Sequence, residues 1–242
     1  MFDVDGTLAP IVPTPERAAV PDGTRDLLAE LNQRYGLVAC LSGRRAADAR
    51  RVVGLDTLIY VGNHGLEQLR PGGDGPETVP EALAQSRAVQ SFATGALTPE
   101  LRETGIRLED KESIWAFHWR GAADEAAAHE ALKAIARSAS DEGLAPHWGR
   151  KVLEIRPAVA VDKGTAIGRL LEGGQPRAAL YGGDDTTDLA AFRRLREMRS
   201  DGSMEVAVCV GVASDEGPAD ISAEADLVVD GPDGFRELLS RL

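Results

Sequence analysis

The sequence predicts an α/β protein in which a doubly wound, parallel-sheet core is interrupted by an inserted α+β domain. Three observations carry that prediction. Short, mainly apolar runs recur at 37–41, 58–61, 177–182 and 205–210, and runs of this kind form strands buried on both faces. Segments with apolar residues at helical spacing alternate with them, the order of a sheet covered by helices on both sides. Between 73 and 157 the order changes to helix, strand, strand, helix, strand, strand, which suits an antiparallel sheet with helices on one face. The length of 242 residues agrees, because a domain of roughly 150 residues carrying a smaller insert fits it well.

The chain opens on a short apolar strand, Met1 to Val4, that runs into Asp5-Gly6-Thr7, with Gly6 opening a turn. Residues 22–35 place Leu27, Leu28, Leu31 and Tyr35 at helical spacing, and Gly36 stops that helix. The strand at 37–41 leads into Ser42-Gly43-Arg44, a short helix covers 46–53, and the strand at 58–61 runs into Gly62-Asn63-His64-Gly65. Pro71 to Pro76 is a linker by composition. The insert then reads as a helix at 77–95, strands at 105–111 and 113–120, an Ala-rich helix at 122–141, and strands at 144–148 and 151–156. Alternation resumes with a helix at 163–172, a strand at 177–182, a helix at 186–199 and a strand at 205–210. A short strand at 226–229 and a helix at 233–241 complete the pattern. The expected domains are therefore 1–72 with 158–242, and 73–157.

Composition narrows the function. Hydrophobic residues make up 43% and charged residues 27%, a globular balance rather than a disordered one. No apolar run approaches the roughly 20 residues of a membrane span, and the N-terminal MFDVDGTL lacks the basic and apolar regions of a signal peptide. Cys40 and Cys209 both sit in apolar runs, so no disulfide framework is expected and a cytoplasmic location follows as the default. The net charge of −12 argues against nucleic acid or an anionic membrane as partner. It leaves room for a small anionic substrate held by local cations or a metal. Of the 27 basic residues 4 are lysines, Lys111, Lys133, Lys151 and Lys163, so each lysine stands out.

In open parallel sheets, ligands bind beyond the C-terminal ends of the strands. Four polar, Gly-rich stretches fall there: Asp3 to Thr7, Ser42-Gly43-Arg44, Asp162-Lys163-Gly164, and Gly183-Asp184-Asp185-Thr186-Thr187-Asp188. Strand period places the Asp3 and Asp5 carboxylates on one side. Close carboxylates repel unless a cation or a proton task compensates. Asp184, Asp185 and Asp188 add to the same crevice, and oxygen donors in this number suit Mg²⁺, with no His/Cys cluster to suggest zinc. Lys163 at a helix N-terminus supplies a point charge and backbone N–H groups suited to a phosphoryl group. Each feature alone has an ordinary explanation as a turn or helix cap; their joint order at strand ends is what points to chemistry.

With those residues in place, the sequence resembles the haloacid dehalogenase superfamily of phosphatases: DVDGT, an apolar strand with Ser42, then Lys163, then Gly-Asp-Asp-x-x-Asp. The insert is similar to that superfamily's C2B cap on a Rossmann-like core. The stretches GNHGLE (62–67), GRKVLEIRP (149–157), DKGTAIGRLL (162–171) and GDDTTDLAAF (183–192) narrow the resemblance to the trehalose-6-phosphate phosphatase family. The resemblance covers essentially the whole chain.

The resemblance implies an Mg²⁺-dependent phosphatase working through an aspartyl-phosphate. Asp3 is the implied nucleophile and Asp5 the general acid and base, with Ser42 and Lys163 holding the phosphoryl group. Mg²⁺ falls to the Asp3 carboxylate, the Asp5 carbonyl and Asp184, with Asp185 and Asp188 orienting its waters and Lys163. Arg44, Asn63, His64 and Glu67 are implied substrate contacts on the core. On the cap, alternation puts Arg107, Glu109 and Lys111 on one strand face and His118 and Arg120 on one face of the next. The resemblance makes Glu109, Lys111 and Glu154 the grip on a glucose unit, and closure of the cap through hinges at 71–76 and 157–162 is expected. The implied substrate is a disaccharide phosphate and the implied state a monomer. Two alternatives stay open: a phosphatase for sucrose phosphate or a glycosyl-3-phosphoglycerate, and a non-catalytic regulatory module of the same fold. Only Met1 and Phe2 precede Asp3, so the expectation is either a native start upstream of Met1 or a very short first strand with few ladder bonds.

Overall fold

The backbone groups of a short apolar strand are satisfied by strands on either side of it. The computed structural model, which describes residues 1–149, 151–174, 176–214 and 217–242, sets these runs in one eight-stranded sheet. In chain order the first part contains β1 (Phe2–Asp3), α1 (Asp22–Arg34), β2 (Ala39–Leu41), α2 (Ala46–Val53), β3 (Ile59–Gly62), β4 (Glu67–Leu69) and β5 (Glu77–Thr78). The insert contains α3 (Pro80–Ala96), α4 (Pro99–Glu103), β6 (Arg107–Asp110), β7 (Trp115–His118), α5 (Glu125–Asp141), β8 (Ala145–Gly149) and β9 (Val152–Arg156). After it come α6 (Lys163–Leu171), β10 (Ala178–Gly183), α7 (Leu189–Ser200), β11 (Val206–Ala213), α8 (Ala219–Glu224), β12 (Leu227–Asp230) and α9 (Gly231–Leu239). The chain divides into two units, Met1–Glu77 with Val161–Leu242, and Thr78–Ala160.

The large sheet runs β12-β11-β10-β1-β2-β3-β4-β5. Pairing is parallel from β12 through β3, and β4 returns antiparallel to β3. Alternate residues of these strands feed separate cores. Phe2, Cys40, Tyr60 and Val210 pack with Leu28 and Leu31 of α1, Val52 and Val53 of α2, and Phe235 of α9. Leu41, Val61, Tyr181 and Cys209 pack with Ile167 of α6, Phe192 and Leu195 of α7, and Ile221 of α8. Apolar packing on both faces is what makes the sheet doubly wound and explains why its strands read as unbroken apolar runs. Burying each large side chain in these cores contributes about 1.5–3 kcal/mol before entropy is counted. Strand order reverses between β1 and β10, which continue in opposite directions across the sheet, and the ends of those two strands open the ligand crevice of such folds.

The second unit is a four-stranded antiparallel sheet, β6-β7-β9-β8. Trp115, Phe117, Leu153 and Ile155 face α3 and α5 and form its core with Val89, Ala93, Leu132 and Ile135. The opposite face carries the polar residues of the same strands.

Several expectations are corrected at their edges. Strand β1 is two residues long, its Phe2 pairing with Gly182 on one side and Cys40 on the other, while the Met1 amino group donates to the Leu180 carbonyl at 2.8 Å. The helix expected from residue 77 begins at Pro80, because Glu77–Thr78 extends as a strand and Pro80 occupies the first helical turn. The helix expected from 122 begins after Asp124, whose carboxylate accepts from the Ala127 amide at 2.9 Å. The expected helix at 186–199 is a 3₁₀ turn, Thr186–Asp188, followed by α7. Arg120 does not share a strand face with His118: β7 ends at His118, and Arg120 lies exposed in the following turn, where its charge acts on Glu125.

Candidate active site

The short strand β1 ends with Asp3 buried between β10 and β2, and α6 begins with Lys163, also buried. The Lys163 ammonium donates to Asp3 Oδ1 at 2.5 Å and to Asp188 Oδ1 at 2.6 Å. Burial works against its charge, but Asp188 and Asp3 together outweigh that and hold Lys163 above its ordinary value. Asp188 is fully buried and saturated with donors. Besides Lys163 it accepts from the Tyr181 hydroxyl at 2.6 Å and from the backbone amides of Asp184 and Asp185 at 3.1 and 3.0 Å. Asp162 caps α6 through the Thr165 amide at 2.8 Å, which fixes the point from which Lys163 projects.

Asp184 follows β10 and is buried beside this group, accepting from the Thr7 hydroxyl at 3.3 Å. Carboxylate oxygens of Asp3, Asp184 and Asp188 lie within 4.8 Å of one another. Three carboxylates against one ammonium leave excess negative charge out of water, which is costly. The titration behaviour says the same. Burial pushes Asp3 well above the carboxylate range, and burial with the neighbouring Asp188 pushes Asp184 up to about 7. Because Asp188 is already occupied by four donors, Asp3 and Asp184 are the oxygens that suit a hard divalent cation. The chain also leaves space beside them. Gly6 stands at φ +90°, and a Cβ there would collide with the Asp184 carboxylate. The donor set therefore fits Mg²⁺.

Asp5 lies just past β1, half-exposed, and its carboxylate is held on both oxygens by Arg44, Nε and Nη2 each at 2.7 Å. Arg44 also donates to the Pro15 carbonyl, and its amide donates to Ser42 Oγ at 3.1 Å. Ser42 is buried at the end of β2. Asn63 and His64 follow β3 with φ of +49° and +57°, and their amides donate to the Arg44 and Ser42 carbonyls at 2.7 and 3.0 Å. Glu67, 1% exposed on β4, accepts from the Ala46 amide at the start of α2 at 2.5 Å. Thus Asp3, Asp184, Asp188 and Lys163 share direct contacts, while Asp5, Ser42 and Arg44 form an adjoining group. Asp185 does neither: it is exposed and caps the 3₁₀ turn, accepting from the Thr186 amide at 2.5 Å. Its link to the carboxylate cluster is through its backbone amide, which donates to Asp188 Oδ2 at 3.0 Å.

In the second unit, the polar sheet face brings Glu109, His118, Lys111 and Glu154 together, and Arg120 stands apart in its turn. Glu109 Oε2 and His118 Nε2 are 2.7 Å apart, and that contact holds the Glu109 carboxyl below its usual range. Lys111 donates to Glu154 Oε1 at 2.8 Å, and Arg156 to Glu154 Oε2 through Nε at 2.9 Å. Glu154 is buried on the inner strand β9, so these two cations compensate its lost hydration. Arg150, within the stretch 149–157 singled out above, lies outside the described residues.

Three contributors escaped the sequence reading. Thr7 stood in the DVDGT stretch but was given no task. Tyr181 read as one more apolar strand residue, although a buried tyrosine hydroxyl calls for a partner. Arg156 was findable, since two residues along a strand return to the same face as Glu154.

Comparison with known proteins bears on this arrangement. A family model described as trehalose-phosphatase matches residues 1–226. An uncharacterised glycosyl hydrolase of Mycobacterium tuberculosis is 37% identical over 205 residues, covering 81% of this chain and 15% of that protein. A trehalose-phosphate phosphatase of Mycobacterium tuberculosis is 36% identical over 197 residues, covering 79% of this chain and 49% of that protein. The chain thus spans about half, or less, of the length of these curated relatives. Among solved structures, the C-terminal domain of Candida albicans trehalose-6-phosphate phosphatase has the same fold, with a TM-score of 0.77 at 22% identity. The match covers 99% of this chain and 90% of that one.

Proposed function

The chain belongs to the trehalose-phosphatase family, and from that premise we propose that it hydrolyses trehalose 6-phosphate to trehalose and phosphate. The observation that carries the proposal is Asp3 at the end of the central strand, in contact with Lys163 and grouped with the buried Asp184. Asp3 attacks phosphorus; the new bond to its carboxylate forms as the bond to the sugar oxygen breaks. Lys163 and Ser42 hold the phosphoryl oxygens, and the fixed charge of Lys163 opposes the negative charge that accumulates there. Asp5 gives its proton to the leaving sugar oxygen, then takes one from the water that attacks the aspartyl-phosphate and restores Asp3. For Asp5 to reach that oxygen, one of its two contacts with Arg44 has to be exchanged. Asp3 and Asp184, with the Asp5 carbonyl, would hold Mg²⁺, which when bound supplies charge neutralisation at the phosphoryl group. Asp188 keeps Lys163 ionised and aimed. The polar face of the second unit, Glu109, Lys111, His118 and Glu154, reads the sugar hydroxyls, to which carboxylates and ammonium groups offer acceptors and donors. Asn63 and His64 complete the substrate contacts.

The test is phosphate release from trehalose 6-phosphate, glucose 6-phosphate, sucrose 6-phosphate and a glucosyl-3-phosphoglycerate, with Mg²⁺ and with EDTA. Preference for trehalose 6-phosphate, abolished by EDTA, is expected. Preference for another ester would keep the chemistry and discard the sugar assignment, and no turnover on any ester would overturn the proposal. Within the same panel, Glu154→Ala is expected to raise KM for trehalose 6-phosphate about tenfold or more while leaving small phosphate esters unaffected.

A further inference from the structure

The segment after β3 is unusual in its backbone and in what it buries. Asn63 and His64 are consecutive non-glycine residues in the left-handed region, and Glu67 is a carboxylate with 1% exposure. Both features cost free energy and persist only where surrounding contacts enforce them. Here the contacts converge on one target, the stretch Ser42 to Ala46. The left-handed turn aims the Asn63 amide at the Arg44 carbonyl, 2.7 Å, and the His64 amide at the Ser42 carbonyl, 3.0 Å. The His64 ring lies against Gly43. Glu67 then reaches the far end of the stretch and accepts from the Ala46 amide at 2.5 Å.

That last contact supplies something the sequence of α2 lacks. The residue before the helix is Arg45, whose side chain makes no cap bond, so the first amides of α2 need an acceptor from elsewhere. Glu67 provides it from the neighbouring strand β4, with a negative charge at the positive end of the helix. Space for the carboxylate comes from Gly62: a Cβ there would run into both the Ala46 amide and Glu67 Oε1.

We propose that Glu67 is a positioning residue rather than a sugar contact: its carboxylate caps α2 from outside the helix and thereby fixes the Ser42–Arg44 loop that holds the phosphoryl group and the Asp5 partner. The assignment rests on the reading of that loop given above. A sugar contact and a positioning residue predict different kinetics. A positioning residue affects every phosphate ester alike, because all of them use the same loop. A sugar contact affects only the sugar ester.

The experiment compares Glu67→Ala and Glu67→Gln with the wild type on trehalose 6-phosphate and on p-nitrophenyl phosphate, alongside amide hydrogen exchange of peptides covering 42–50. Expected for Glu67→Ala is a fall in kcat of about tenfold or more on both esters, with faster exchange in that stretch. Glu67→Gln, which keeps an acceptor oxygen, is expected to restore most of both. A rise in KM confined to trehalose 6-phosphate, in either variant, would overturn the proposal, as would Glu67→Ala behaving like wild type. If Glu67→Ala does not fold, Glu67→Gln alone decides: near-wild-type kinetics on both esters support positioning, and a sugar-specific loss refutes it. A wild type inactive on both esters would remove the proposed function, and the exchange comparison would still report whether Glu67 fixes α2.

Discussion

Asp3, Asp184 and Asp188 show how three chemically identical side chains acquire different tasks from their surroundings. Asp188 receives four donors and acts as a fixed anion. Asp3 receives one, from Lys163, which leaves it the lone pairs that the proposed attack on phosphorus requires. Asp3→Asn is therefore expected to lower turnover by at least about 10³-fold, with far-UV circular dichroism unchanged. Asp184 makes a pH prediction. Its folded value of about 7 exceeds the ordinary 3.8, so between those pH values the folded chain holds a proton that the unfolded chain has released. That contribution to stability is complete below about pH 4 and is lost as pH rises to about 7. In EDTA, the melting temperature of wild type relative to Asp184→Asn should fall between pH 5 and pH 7.5. Mg²⁺ should raise the wild-type value more at pH 7.5 than at pH 5, because its ligands must first lose their protons. At this scale the sequence displayed residue types well and pairings poorly. It showed that acids crowd the strand ends, but not that Lys163 would donate to Asp3 or that Arg44 would take both oxygens of Asp5. Those outcomes depend on distances between segments remote in sequence.

Elements were legible where an apolar period ran long enough to be read. Helix α2 matches its expected span, 46–53, because Ala46, Ala49, Val52 and Val53 mark one buried stripe. Helix α5 is similar, with Ala128, Leu132, Ile135 and Ala139 against the small sheet. Leu132→Ala there should cost about 2–5 kcal/mol, measured by urea unfolding of the intact chain. Elements below two turns escaped. The five residues of α4 and six of α8 contain too few positions for a helical period, and the three of β4 too few for alternation. Strand ends were misjudged for a different reason. Apolar character continues through Trp119, but β7 stops at His118, where its partner β9 begins at Val152. A partner's length, not a residue's own preference, sets where a strand ends.

The molecule as a whole has cores on both faces of its large sheet and a separate core in the inserted unit. Calorimetry is expected to resolve the two units, with Mg²⁺ and inorganic phosphate raising only the transition of the unit that contains Asp3 and Asp184. The change from alternating α/β to αββαββ announced this division in the sequence, since a new periodicity means a new kind of sheet. The insert also has a consequence in time. Strand β1 needs β10 beside it, and Phe2 pairs with Gly182. On a ribosome moving at about 5–20 residues per second, the strand that carries Asp3 waits on the order of ten seconds or longer for that neighbour. The inserted unit, continuous in sequence, has all its strands available earlier. Order of assembly therefore departs from order of synthesis: the residues of β1 are made well before those of β10 yet are locked in place only once β10 is there, and during that interval the edge of β2 stands open to any chaperone or stray strand that can occupy it.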